Sequence, residues 1–158
     1  MPRPVVFECQ ATIALTGQQI SEQILDLSRW PEFAGYGLLP GIKAAEFEER
    51  TSEVVGTRIQ VHNNDGSRHV EQITEWDPDR TLCMEFGDFT PPLSVLADKF
   101  VERWEFQAAG TQTDVTRSFE LHARSLLFRP VFQIVAIFLR RAIVQHLDEM
   151  CEEAQNKS

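Results

Sequence analysis

The sequence predicts an α+β fold, an antiparallel sheet of about seven strands covered by a long C-terminal helix. Three observations predict it. A strand-like segment at the N-terminus runs into a capped helix. Strand and hairpin signals then follow one another from about Ile42 to Leu121. The chain ends in one long helical stretch, from Ser125 to about Glu153. Runs of strands followed by a helix exclude alternating βαβ units.

Val5 to Leu15 alternates, with Phe7, Cys9, Ala11, Ile13 and Leu15 on one face, the period of a half-buried strand. Thr16 followed by Gln19 is a capping box and starts a helix whose stripe is Ile20, Ile24 and Leu27. Pro31 disfavours helical backbone at Trp30, so this helix stops near Ser28. Trp30-Pro31-Glu32-Phe33 forms a second short helical turn, and Gly35, Gly37, Pro40 and Gly41 a flexible loop.

Ile42 to Glu49 is charged and reads as an edge strand. Asn64-Asp65-Gly66 is a hairpin turn between Thr57–His62 and Val70–Trp76. Thr81 to Gly87 is the next strand, with Leu82, Met84 and Phe86 on one face. Pro91-Pro92 requires a long loop from Asp88 to Ala97. Lys99–Phe106 and Thr113–Leu121 form the last hairpin. Pro130 lies at the start of the final helix, where a missing N–H is harmless.

At 158 residues the chain fits one domain, 1–158, and 42% hydrophobic residues supply a sizeable core. The formal charge of −9 argues against nucleic acid, which needs a cationic footprint, and against a polybasic anchor. Cys9, Cys83 and Cys151 are odd in number and far apart, pointing to no disulfide or zinc framework and to a reducing, cytoplasmic setting. The most apolar stretch, Val131 to Leu139, is too short to span a bilayer. No P-loop, GxGxxG, HExxH or GxSxG sequence occurs, so no metal or cofactor is expected.

The capped helix at Thr16 to Leu27, Trp30-Pro31-Glu32-Phe33, Ile73-Thr74-Glu75-Trp76-Asp77-Pro78, Trp104-Glu105-Phe106, Gly110 and the terminal helix occur in a distinctive order. In that order the chain resembles the START/SRPBCC superfamily, and more closely its bacterial polyketide cyclase/dehydrase-like members. The resemblance covers nearly the whole chain. It implies a helix-grip fold, a curved sheet around the long helix, with a cavity between them for a hydrophobic small molecule such as a lipid, isoprenoid or polyketide. Members include carriers, receptors and cyclases, so a cyclase or dehydratase is the alternative to a binding protein.

The last hairpin defines the cavity's polar groups. A four-residue connection, Ala108 to Thr111, pairs Phe106 with Thr113, Trp104 with Val115, Glu102 with Arg117 and Phe100 with Phe119. One inward acid then faces one inward base. Buried charges are costly unless paired, so the two either satisfy each other near the rim or bind a polar group of a ligand. Glu102, Arg117 and His69 are the candidate catalytic residues. Trp30, Phe33, Met84, Phe86, Trp104, Glu102, Arg117, Phe119, Val135 and Phe138 are the candidate ligand contacts.

The middle strands leave two parities open. Ile59 and Val61 inward put Val70, Gln72 and Trp76 inward, whereas Leu82, Met84 and Phe86 inward put His69, Glu71 and Ile73 there. A β-bulge reconciles them, but the faces of His62 and His69 stay open, with two ordinary surface histidines favoured. His146 falls in the polar half of the last helix and reads as solvated. The other half is apolar all round, so its outer side needs a cover: the Pro91-Pro92 loop, the Trp30 segment, another subunit or a membrane surface, with intramolecular cover or a homodimer contact favoured over lipid because the protein is acidic.

Overall fold

The computed structural model describes residues 2–157. Strand β1 (Val5–Ile13) leads to helix α1 (Gly17–Leu25) and a 3-10 turn at Leu27–Glu32. A small hairpin follows, β2 (Gly35–Tyr36) and β3 (Leu39–Pro40). Then come β4 (Ile42–Glu49), β5 (Arg58–Asn63), β6 (Arg68–Asp77), β7 (Thr81–Gly87), the short helix α2 (Leu93–Leu96), β8 (Ala97–Ala109), β9 (Gln112–Ala123) and helix α3 (Arg129–Asn156). The large sheet is antiparallel and seven-stranded, in the order β1-β9-β8-β7-β6-β5-β4. This is the helix-grip arrangement that the resemblance implies.

Local chemistry accounts for the element ends. Thr16 accepts from the Gln19 backbone N–H, and Gln19 returns a bond to the Thr16 N–H, which closes the capping box. Strand β4 lies at the sheet edge, where its charged side chains discourage pairing with another chain. The glycine-rich segment after Phe33 is not a plain loop: β2 and β3 pair there.

Two registers differ from the sequence expectation. The β8–β9 turn spans only Gly110 and Thr111, because Ala109 pairs with Gln112. Trp104 is therefore opposite Arg117, Glu102 opposite Phe119, Phe100 opposite Leu121 and Phe106 opposite Val115. The slip is two residues, so every inward side chain keeps its face.

The β5–β6 turn has three residues, Asn64, Asp65 and Gly66, with Gly66 at φ 88° and the Asn63 N–H bonded to Ser67 O. Val61 thus pairs with His69 and Ile59 with Glu71. A bulge between Ile73 and Glu75 then shifts the register so that Trp76 pairs with Leu82. His69 and Glu71 share the inner face with Ile59 and Val61, while His62 faces outward beside Glu46, 3.4 Å away.

The core joins the inner sheet face to one side of α3. Ile59, Val61, Ile73, Leu82, Trp104, Phe119 and Leu121 are buried from the sheet, and Phe132, Leu139, Ile143 and Leu147 from the helix. Burying each such side chain stabilises by about 1.5–3 kcal/mol. With 28 residues, α3 is long enough to cross the whole sheet. It runs close to β1, where Cys151 Sγ meets Thr12 O at 3.4 Å, and leaves a hollow in front of the middle strands.

Candidate functional site

The hollow has a volume of about 310 Å³. Met84, Phe86, Phe100, Trp104 and Phe119 supply its sheet wall, and Val135, Leu139, Ile143 and Met150 its helix wall. Trp30, Phe33, Leu39 and the Pro91-Pro92-Leu93 segment close its sides. The aromatic rings brace one another. Phe86 meets Phe119 edge-on at 6.1 Å, and Phe89 lies 5.0 Å from Phe100. Trp30 is fixed by its indole N–H, which donates to Ile24 O at 2.8 Å.

Of the residues singled out from sequence, Trp30, Phe33, Met84, Phe86, Glu102, Trp104, Arg117, Phe119, Val135 and His69 all line this hollow. Phe138 does not. It lies one residue from Leu139, which is about 100° around a helix, and so turns away to pack against Tyr36 with ring centres 6.2 Å apart. Gly37 makes room for it: a Cβ there would sit 2.8 Å from the Phe138 ring.

Arg29, Glu32, Arg68 and other polar residues also border the hollow, but its buried polar groups gather at two places. On β8 and β9, Arg117 Nε donates to Glu102 Oε2 at 2.5 Å, with both side chains buried. The Arg117 guanidinium also lies 4.3 Å above the Trp104 ring and 5.7 Å from the Phe119 ring. Burial pushes the Glu102 carboxyl above the usual carboxylate range; Arg117 pulls it down and the Glu71 charge pushes it further up. The Trp104 indole N–H is buried without a partner of hydrogen-bonding geometry among the described residues, yet its dipole still favours the Glu102 anion.

From α3, His146 Nδ1 lies 2.9 Å from Arg117 Nη1. A guanidinium only donates, so Nδ1 accepts and the ring proton resides on Nε2. Burial, helped by the charges of Arg117 and Arg29, lowers the imidazole pKa to about 3. His146 is thus a neutral member of the site and not a solvated side chain.

The second polar pair is on β6. Asn63 Nδ2 donates to His69 Nδ1 at 3.3 Å, which leaves Nε2–H to donate to Glu71 Oε2 at 2.9 Å. The His69 ring stacks on Phe86 with centres 5.2 Å apart. His69 is therefore an inner residue, against the expectation of an ordinary surface histidine, because the three-residue turn reverses the assumed parity.

Of the titratable residues in the two polar clusters, Glu71 and His146 were not among the sequence candidates. Their signals are present. Glu71 follows His69 by two residues on a strand, and His146 continues the spacing of Leu139, Ile143 and Met150 on one helix stripe. Among the described residues no group of three or more His, Cys, Asp or Glu is arranged to hold a metal ion. No helix among them is long and apolar enough to cross a membrane.

The fold recurs in solved structures of distant sequence. The Zhui aromatase/cyclase from a Streptomyces species superposes with a TM-score of 0.72 at 13% identity, over 98% of this chain and 95% of that one. Norcoclaurine synthase from Thalictrum flavum, in complex with dopamine and hydroxybenzaldehyde, gives 0.66 at 13% identity, over 95% and 87%. A START superfamily protein from Mycobacterium smegmatis gives 0.63 at 9% identity, over 92% and 98%. No curated protein matches in sequence. The family model for polyketide cyclase/dehydrase and lipid transport matches residues 4–155. The chain belongs to that family.

Proposed function

We propose that the protein binds and carries a hydrophobic small molecule, a lipid, isoprenoid or polyketide-like compound, in the hollow between sheet and α3. The chain acts as one ligand-binding unit. The observation that carries this is a hollow of about 310 Å³ with apolar walls and a buried Glu102–Arg117–His146 cluster. Such a ratio of apolar lining to a few fixed polar groups suits an apolar body with one oxygen-bearing end. Arg117 offers guanidinium donors to a carbonyl or carboxylate, and the neutral His146 offers Nε2–H, which has no protein partner among the described residues.

The test is native mass spectrometry of the purified chain with solvent extraction, followed by thermal shifts with apolar ligands. A bound molecule, or a stabilisation of about 2.7 kcal/mol at a hundredfold excess over Kd, is expected. A chain that comes out empty and is stabilised by no apolar ligand would refute the proposal.

The His69–Glu71 pair favours a second reading, a cyclase- or dehydratase-type enzyme. The His69 ring, with Nε2 2.9 Å from the Glu71 carboxylate and Nδ1 3.3 Å from Asn63 Nδ2, has its orientation fixed, as a proton-transfer group requires. The cavity would hold a flexible chain folded while His69, Glu102 and Arg117 move protons or polarise a carbonyl. Full turnover of an accepted substrate by both His69→Ala and Arg117→Ala would eliminate this mechanism.

A further inference from the structure

Between Glu120 and Asp148 the sequence contains no acidic residue. Arg124, Arg129, Arg140 and Arg141 lie in that interval, so the formal charge of −9 divides into +4 here and −13 elsewhere. Among the described residues no carboxylate forms a salt bridge with any of the four. Three of them bond to neutral partners: Arg124 Nε donates to Ser94 O, Arg129 Nε to Arg3 O, and Arg141 Nη1 to the Tyr36 hydroxyl. Arg124, Arg129 and Arg141 thus carry their charge without a carboxylate partner, while Arg140 shares a surface depression with Glu8 and Asp148.

The same segment exposes large apolar side chains. Leu127 is 84% exposed, Ile134 58% and Ile137 57%. Two neighbouring tips extend the surface. Val95 of α2 is held beside Arg124, whose N–H and Nε bond to Leu96 O and Ser94 O. Leu38, 88% exposed, caps the β2–β3 hairpin, which Tyr36 ties to Phe138 and Arg141.

We infer that this face docks on a bilayer surface containing anionic lipid. Stable attachment of a peripheral protein takes two signals together, inserted apolar side chains and cationic attraction, and both occur on this one segment. The acidic remainder of the molecule orients it, since only this face is drawn to a negative surface. A symmetric dimer through the ridge would set the same four arginines against their counterparts, which is why a membrane is the better occupant. The ridge also borders the hollow. Val95, Leu38 and Ile134 stand next to Leu93, Leu39 and Val135, which line it. Docking therefore places the rim of the hollow against the acyl layer. This goes beyond the ligand-carrying role and stands without it.

The experiment is flotation of the full chain with vesicles of phosphatidylcholine alone, and of equal parts phosphatidylcholine and phosphatidylglycerol, at low and high salt. The chain is expected to float with the anionic vesicles only, and less so as salt rises. Arg140→Gln and Arg141→Gln should each lower partitioning about fivefold. The double variant Leu127→Asp/Ile134→Asp should stay at the bottom while keeping the wild-type circular dichroism spectrum, since both sites are exposed. Absence of flotation with anionic vesicles, equal binding to neutral ones, or variants that bind like wild type would overturn the inference. So would ultracentrifugation showing a dimer that Leu127→Asp/Ile134→Asp dissociates, which would make the ridge a contact between copies.

Discussion

Arg117 Nη1 donates to His146 Nδ1 across 2.9 Å, joining the floor of the sheet to the helix that covers it. The bond requires a neutral imidazole, because a protonated ring has no lone pair to accept with. Burial, together with the positive charge that orients His146, keeps it unprotonated.

This sets a pH dependence of stability. In the unfolded chain His146 takes up a proton below its ordinary value of 6.5, whereas in the folded chain it resists to about 3. Between those values the unfolded state binds the extra proton, so the stability tied to neutral His146 is complete above 6.5 and is lost as pH falls toward 3. The ceiling is on the order of 4–5 kcal/mol. Urea denaturation across this range should show a steeper fall for wild type than for His146→Gln. Parallel curves would show that His146 carries no such linkage.

The buried ion pair should be asymmetric to mutation. Arg117→Met leaves Glu102 buried and unpaired, and should cost about 3–5 kcal/mol. The double variant Glu102→Leu/Arg117→Met should recover most of that loss, because neither charge is then desolvated. Chemical denaturation of the two variants decides it; a double variant as unstable as the single one would mean that packing, not charge, holds the site.

Filling the hollow should separate binding from folding. Val135 lines the cavity and is only half-buried, so Val135→Trp should fold and abolish the fluorescence enhancement of a neutral naphthylamine dye. Phe138→Ala removes a ring that packs outside the cavity. It should cost about 2 kcal/mol, less than a fully buried Phe, with dye affinity unchanged. Dye titration and melting of both variants test the contrast, and equal dye loss in the two would contradict the placement of Phe138.

Gly37 and Phe138 should behave as a coupled pair. Gly37 has φ 58°, and a Cβ there would sit 2.8 Å from the Phe138 ring. Gly37→Ala should therefore cost about 1–3 kcal/mol. Part of that cost is the clash, so Gly37→Ala/Phe138→Ala should be less destabilised than the sum of the single variants. Strict additivity in denaturant melts would leave backbone conformation as the whole effect.

Much of the fold was legible because it depends on local signals. The Thr16–Gln19 capping box, the charged β4 edge and the helical run from Ser125 each need only a few neighbouring residues to be read. The inward set Phe100, Glu102, Trp104, Phe106 and Val115, Arg117, Phe119 was legible by parity, which a two-residue slip in the turn leaves intact. The face of His69 was not legible. It depends on whether the Asn64-Asp65-Gly66 connection holds three residues or an even number; a β-bulge does occur, between Ile73 and Glu75, but beyond the pairs that His69 and Glu71 make. His146 was obscured for another reason. The first half of α3 is apolar around its whole circumference, so the stripe through Leu139, Ile143, His146 and Met150 stands out only once one side has the sheet beneath it.

The β5–β6 turn and the Thr74 bulge act like two compensating frameshifts in a text. Between them, His69, Glu71 and Ile73 are presented inward; beyond the second, the original phase resumes and Trp76 returns to the inner side. Deleting one residue at the solvent-exposed tip would bring Arg68, Val70 and Gln72 into the interior instead, exchanging the chemistry of one wall without substituting any residue of the strand. Loop length thus decides, as much as residue identity does, which side chains line this hollow.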